Sequence, residues 1–286
     1  MDFNRKKLLN KLDKTTKIVC KSFSSIDNVI GITLGGSLAR NFSDENSDIE
    51  VYVYYDNSLP NEEKIKKILK KMRAKLTRSS KIFWYHEAWG YHTFFKVNNV
   101  KVELGYRNIN KIKERMHSFI TKFSLPKHGI HDTPFGHYES GLASCIKEGK
   151  ILYDKKSELK NLKKALNKFP EKVKINTISY YFKDAKRITH EKIKSAIKRN
   201  DTYNFNACSS RVVRSLNICL FAINDTYFPG DKWNHKYIKK FKKKPKKYEK
   251  YMSEFFRLGD LDLKNKIKKY EILKNIIIET QNFIRK

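Results

Sequence analysis

The spacing of apolar positions changes several times along the first third of the chain, and each change marks an element. Leu8, Leu9, Leu12, Ile18 and Val19 recur at roughly helical intervals and predict a helix over residues 4–22. The run Val29-Ile30-Gly31-Ile32-Thr33-Leu34 is short, apolar and stopped by Gly35-Gly36-Ser37, the pattern of a buried strand entering a turn. From Ile49 to Tyr55, Glu50, Tyr52 and Tyr54 alternate with Val51 and Val53, which is the two-residue period of a strand. Helical spacing returns over 61–76 through Ile65, Ile68, Leu69, Met72 and Leu76. Three further strands are predicted at 81–86, 92–97 and 100–106, the last two joined by Asn98-Asn99, a pair suited to a tight hairpin.

A connector holding Pro126, Gly129, Pro134 and Gly136 follows, and everything beyond it reads as helix. The helical segments fall near 137–148, 157–168, 171–199, 202–225, 232–243, 246–257 and 262–284. The expected fold class is therefore α+β: a mixed β-sheet domain with flanking helices over residues 1–122, then an all-α helical bundle over 135–286. A length of 286 residues suits two modest domains. No internal repeat is visible.

Composition narrows the classes. Apolar residues make up 40% and aromatics 13%, enough for real cores, which excludes a disordered basic tail despite the net charge of +32. That charge draws anionic ligands, yet the lysines are spread over almost every predicted helix, as on a solvated face. No uncharged apolar run approaches a bilayer span, and the first twenty residues are an amphipathic pattern broken by charges, so a cytoplasmic location without membrane attachment is expected. Cys20, Cys145, Cys208 and Cys219 lie far apart and signal neither zinc nor a disulfide framework.

Candidate chemistry concentrates at the first strand's end. A strand ending in Gly35-Gly36-Ser37 and leading through Leu38-Ala39 to Arg40 offers unobstructed backbone N–H groups, a hydroxyl and a helix N-terminus to a phosphate. On the next strand Asp48 and Glu50 stand two apart and project from one face. At about 6.6 Å along the strand, their repulsion is about 2.5 kcal/mol at an effective dielectric of 20. A divalent cation reverses that penalty, and magnesium favours a few carboxylates plus substrate phosphates. Glu103, between Val102 and Leu104, supplies a third carboxylate from another strand.

These residues resemble the signature of the DNA polymerase β superfamily of nucleotidyltransferases: Gly-Ser, a variable stretch, then two acidic residues separated by one. Gly36-Ser37 and Asp48-x-Glu50 match it, with Glu50 where Asp is commoner and Asn41 where a Gly commonly follows Arg40. A second stretch, Leu220-Phe221-Ala222-Ile223-Asn224 leading to Tyr227-Phe228-Pro229-Gly230-Asp231-Lys232-Trp233, resembles the helical domain of bacterial antibiotic nucleotidyltransferases related to the aminoglycoside and lincosamide enzymes. The resemblance implies that Asp48 and Glu50 hold two Mg²⁺ ions, that Glu103 joins one of them, and that Gly36 and Ser37 bind the triphosphate of an NTP, ATP being the expected one. An acceptor hydroxyl would then attack the α-phosphorus and pyrophosphate would leave. The acceptor implied is a small hydroxyl-bearing molecule such as an aminoglycoside or lincosamide. The alternatives are an RNA or protein acceptor, or a non-catalytic nucleotide- or RNA-binding module, and retention of all three carboxylates weighs against the last.

Secondary candidates lie elsewhere. Arg40, Arg211, Arg214 and Lys232 are cations placed to reach nucleotide phosphates. Glu87 and Glu139 are candidates for a general base. His86, His92, His128, His131 and His137 form no metal-binding spacing. The run from Lys239 to Lys247, broken by Phe241 and Pro245, is the densest positive patch and reads as an exposed loop between helices.

Overall fold

The computed structural model describes residues 3–78, 80–86, 90–122, 139–259 and 262–284. Its contacts divide the chain into two compact units: Met1–Ser118 with Leu142–Asn167, and Phe119–Gly141 with Lys168–Lys286.

The first unit is built on a mixed sheet. Its strands are β1 (Val29–Leu34), β2 (Ile49–Tyr55), β3 (Lys75–Leu76), β4 (Trp84–His86), β5 (Gly90–Val97), β6 (Val100–Asn108) and β7 (Lys150–Asp154). They run in the order β3-β5-β6-β2-β1-β7, with β4 also paired to β5. Only the β2–β6 pairing is parallel. Asn98 and Asn99, at φ 53° and 57°, close the β5–β6 hairpin as the sequence suggests, since such turns need two left-handed residues and Asn tolerates them.

Strand alternation sorts the sheet into two faces. Ile32, Leu34, Ile49, Val51, Val53, Phe95, Val102 and Leu104 form a core with Leu12, Val19 and Phe23 of α1 (Phe3–Phe23) and Ile65 and Leu69 of α3 (Glu62–Lys71). The opposite parity carries Glu50, Tyr52 and Tyr54 of β2 and Glu103, Gly105 and Arg107 of β6, so one face is apolar and the other carries polar and aromatic side chains. The short helix α2 (Gly36–Ala39) connects β1 towards β2.

Two elements differ from the sequence reading. The helix expected over 61–76 stops at Lys71, because Arg73 adopts φ 53° and Ala74 N–H and Arg73 N–H bond back to Leu69 and Lys70 carbonyls, a left-handed cap that frees Lys75–Leu76 to pair with β5. Residues 150–154 sit in a region read as entirely helical, yet they form β7 beside β1. Five residues with Lys150 and Asp154 at their ends are too short and too polar to show strand periodicity. Residues 142–167 accordingly belong with the first unit, whereas the reading from sequence ended that domain at 122 and began the next at 135.

In the second unit the described regular elements are helices. Its long members are α7 (Glu171–Arg187), α9 (Thr202–Ile223) and α12 (Leu263–Ile284), with α8 (Lys194–Lys198) joined to α7 through a wide turn at Ile188–Ile193, and α10 (Asn234–Ile238) and α11 (Tyr248–Arg257) shorter. Val212, Leu216, Leu220 and Phe221 of α9 are buried with Leu273, Ile276 and Ile277 of α12 and Ala185 of α7. Helix α6 (Glu158–Ala165) and most of α4 (Ile109–Lys122) and α5 (Glu139–Glu148) belong to the first unit. Among the described residues no helix is long and apolar enough to cross a membrane.

Candidate active site

Parallel pairing of β2 with β6 puts Glu50 directly opposite Glu103, so two of the three carboxylates are lateral neighbours by register rather than by a flexible loop. Asp48 lies one residue ahead of β2, with the parity of Glu50. The Gly35-Gly36-Ser37 turn lies against Glu50: Gly35 N–H donates to the Glu50 carbonyl at 2.8 Å. Gly36 has φ +60°, and a Cβ there would stand 2.3 Å from Glu50 Oε1. Glycine is required on both counts. Ser37 Oγ is 3.2 Å from Ser47 Oγ, which in turn donates to Asp44 Oδ1 at 3.0 Å, bracing the loop that leads to Asp48.

Glu50 is held by its neighbours. Tyr52 Oη donates to Glu50 Oε2 at 2.9 Å. The Tyr52 ring lies between two glycines, since a Cβ on Gly35 or Gly105 would approach it to 2.3 or 2.9 Å. The Arg107 guanidinium stacks 3.7 Å from the ring centroid, donates to Tyr54 Oη at 3.1 Å and reaches Cys145 Sγ at 3.6 Å. Burial drives the Tyr52 hydroxyl far above its ordinary pKa, so it remains a donor. Burial, first of all, raises Glu50's carboxyl above its ordinary value; the Tyr52 hydrogen bond opposes this, and the charges of Glu103 and Asp48 add to it. Glu103 Oε1 lies 3.0 Å from His92 Nδ1.

A magnesium ion would find a hard, oxygen-only donor set in Asp48, Glu50 and Glu103, and a crowded anionic cluster that a cation relieves. The residues fit it. Among the described residues no group of three His, Cys, Asp or Glu side chains is already gathered round a metal-sized point; Glu50 is turned to Tyr52 and Glu103 to His92.

The candidate cations are engaged with carboxylates. Arg40 Nε lies 2.6 Å from Glu148 Oε2 in the first unit. In the second, Arg211 makes a two-point contact with Asp184 at 2.8 and 2.9 Å, and Arg214 Nε bonds Asp231 Oδ1 at 3.0 Å. Lys232 is exposed, in the turn before α10. Glu139 opens α5, while Glu87, His128, His131, His137 and the connector residues Pro126, Gly129, Pro134 and Gly136 lie outside the described residues. Tyr52, His92, Arg107 and Cys145 are additions that the sequence did not single out for the site. Tyr52 shares the parity of Glu50 and was legible to that extent, whereas Cys145 comes from a helix 38 residues after Arg107.

Residues 12–128 match the family described as Nucleotidyltransferase domain, and the chain is an enzyme of the nucleotidyl-transferring class. Residues 137–234 match a family described as Domain of unknown function (DUF4037). No curated protein matches the chain. Among solved structures, the chain is similar to a nucleotidyltransferase-like protein from Exiguobacterium sibiricum 255-15, with 10% identity, a TM-score of 0.46, and coverage of 95% of this chain and 77% of that one.

Proposed function

We propose that the protein transfers a nucleoside monophosphate from an NTP, ATP in the first instance, to the hydroxyl of a small-molecule acceptor, releasing pyrophosphate. The observation that carries this reading is the Glu50–Glu103 row set against the Gly35-Gly36-Ser37 turn. Gly36 lets the Glu50 carboxylate lie against the turn, where any side chain would collide with it, and Ser37 adds a hydroxyl beside it. Asp48, Glu50 and Glu103 would hold divalent magnesium, which when bound supplies charge neutralisation at the triphosphate and lowers the pKa of a coordinated hydroxyl. Tyr52 fixes one oxygen of Glu50 so that the other stays over Gly36.

In the transfer, a bond forms between the acceptor oxygen and the α-phosphorus while the bond from that phosphorus to the α–β bridging oxygen breaks. The electron pair leaves with pyrophosphate, and the acceptor hydroxyl releases its proton to water. Positioning and electrostatics supply most of the acceleration. Arg40, in the same unit as the carboxylates and paired with Glu148, is proposed to face the nucleotide phosphates. The resemblance of residues 220–233 to antibiotic-modifying enzymes supports a small acceptor.

The test is incubation with each labelled NTP and Mg²⁺ across aminoglycosides, lincosamides, tRNA and a proteome extract, with Asp48→Asn alongside. The expected result is label on a small molecule, no label with Asp48→Asn, and an unchanged melting temperature, because the substitution removes a repelling charge and no packing. A folded Asp48→Asn protein that still transfers nucleotide would refute the mechanism.

A further inference from the structure

The row of paired residues that carries the carboxylates does not stop at Glu103. Its partner on β5 is Phe94, and in the next row Tyr52, Gly105, His92 and Trp84 follow one another across β2, β6, β5 and β4. Period-two alternation keeps these positions on one face of the sheet. The His92 and Phe94 rings lie parallel, 5.9 Å apart at 13°. The Arg78 guanidinium sits 3.7 Å from the Phe94 centroid. Trp84 keeps 39% of its surface exposed. Four flat groups thus border Glu103 on the side away from Glu50.

We infer that this ledge is the acceptor subsite, and that it takes a hydroxyl-bearing molecule with a flat unsaturated ring and an anionic group. The inference rests on the nucleotidyl-transfer reading above and narrows its acceptor. The exposed Trp84 indole and the outer face of the Arg78 guanidinium recognise a flat π-system by stacking, and the edge of that guanidinium, fixed on Phe94, offers paired N–H donors to a carboxylate or phosphate. Adjacent strands are about 4.8 Å apart, so a ring stacked on the Arg78 guanidinium above Phe94 holds its hydroxyl within reach of Glu103. A polycationic acceptor meets the opposite: among the described ledge residues the sole carboxylate is Glu103, which the reaction itself uses, and Arg78 and the net charge of +32 repel it. The ledge therefore favours acceptors unlike the aminoglycosides.

Flavin mononucleotide serves as the probe, since it joins a flat ring, a phosphate and free hydroxyls, and its emission is quenched on stacking. The full chain is titrated with it, with riboflavin, ribose 5-phosphate, kanamycin and ATP as competitors. The expected result is saturable quenching that riboflavin reverses only weakly and that ribose 5-phosphate, kanamycin and ATP leave in place. Arg78→Gln and Trp84→Leu, both at exposed side chains, should each weaken binding about tenfold, and Asp48→Asn should not. Displacement by kanamycin or ATP, or ledge variants that bind like the parent, would overturn the inference. An Asp48→Asn protein that retained transfer would instead remove the catalytic reading and leave the ledge measurement standing.

Discussion

Glu50 couples charge, burial and hydrogen bonding at one atom pair, and its raised pKa has a direction that stability measurements can read. A carboxyl whose folded pKa stands above its unfolded value favours the fold while protonated and loses that contribution as pH rises through the folded pKa. In chelator-containing buffer, Glu50→Gln is therefore expected to be more stable than the parent at neutral and alkaline pH. The gain should vanish as pH falls below the ordinary Glu value of about 4.3. Denaturant unfolding at pH 8 and pH 4 measures it, and a gain independent of pH would rule out ionisation as the cause. Tyr52→Phe isolates the hydroxyl, because the ring stays clamped by Gly35, Gly105 and Arg107. It should raise the Mg²⁺ concentration for half-maximal transfer and weaken direct Mn²⁺ binding, since Glu50 loses a charge-assisted hydrogen bond of about 1.5–3 kcal/mol. Unaltered Mn²⁺ affinity would make Tyr52 a packing residue only. That Asp48 and Glu50 share one face, and Glu103 one face of its own strand, was legible from strand parity, but the pairing of Glu50 with Glu103 and the partners that orient them were not, because cross-strand register and helix placement are tertiary facts.

At the scale of elements, legibility followed length and punctuation. The β1–turn–β2 segment was readable because glycines end an apolar run and alternation begins again after it. The early end of α3 was hidden because Arg73 takes a conformation its sequence does not advertise. Strand β7 was hidden because its stability comes from pairing with β1, with Gly31 opposite Asp154, rather than from its own pattern. The turn itself offers a sharp prediction. Gly36→Ala must hold a side chain at φ +60°, costing about 1–2 kcal/mol, and must push aside a carboxylate oxygen 2.3 Å away. Loss of stability of that order together with loss of transfer is expected from a melting curve and an activity assay on one preparation. A stable, fully active Gly36→Ala protein would mean that the turn neither touches Glu50 nor cradles phosphate.

For the molecule as a whole, the open question is whether a net charge of +32 reports a polyanionic acceptor or a solvated surface. The densest run, Lys239 to Lys247, lies in the second unit and is tied into the fold: Asn224 brackets the backbone of Lys243 at 2.8 and 3.1 Å, Glu279 accepts from Lys246 N–H at 2.9 Å, and Lys244 pairs with Glu249 at 2.5 Å. Part of its charge is thus spent on structure. Lys242, Lys246 and Lys247 remain exposed. Replacing these three by glutamine should leave kcat/KM for a small acceptor unchanged at physiological salt, where screening over about 8 Å isolates them from groups further away. An RNA acceptor predicts a different result, because each lost phosphate contact removes about 0.9 from the log–log salt slope for a duplex and about 0.7 for a single strand. The expected outcome is no change in turnover and no steep salt dependence to flatten. A tight tRNA complex whose salt slope falls on substitution would transfer the acceptor role to RNA and make this lysine segment part of the binding surface.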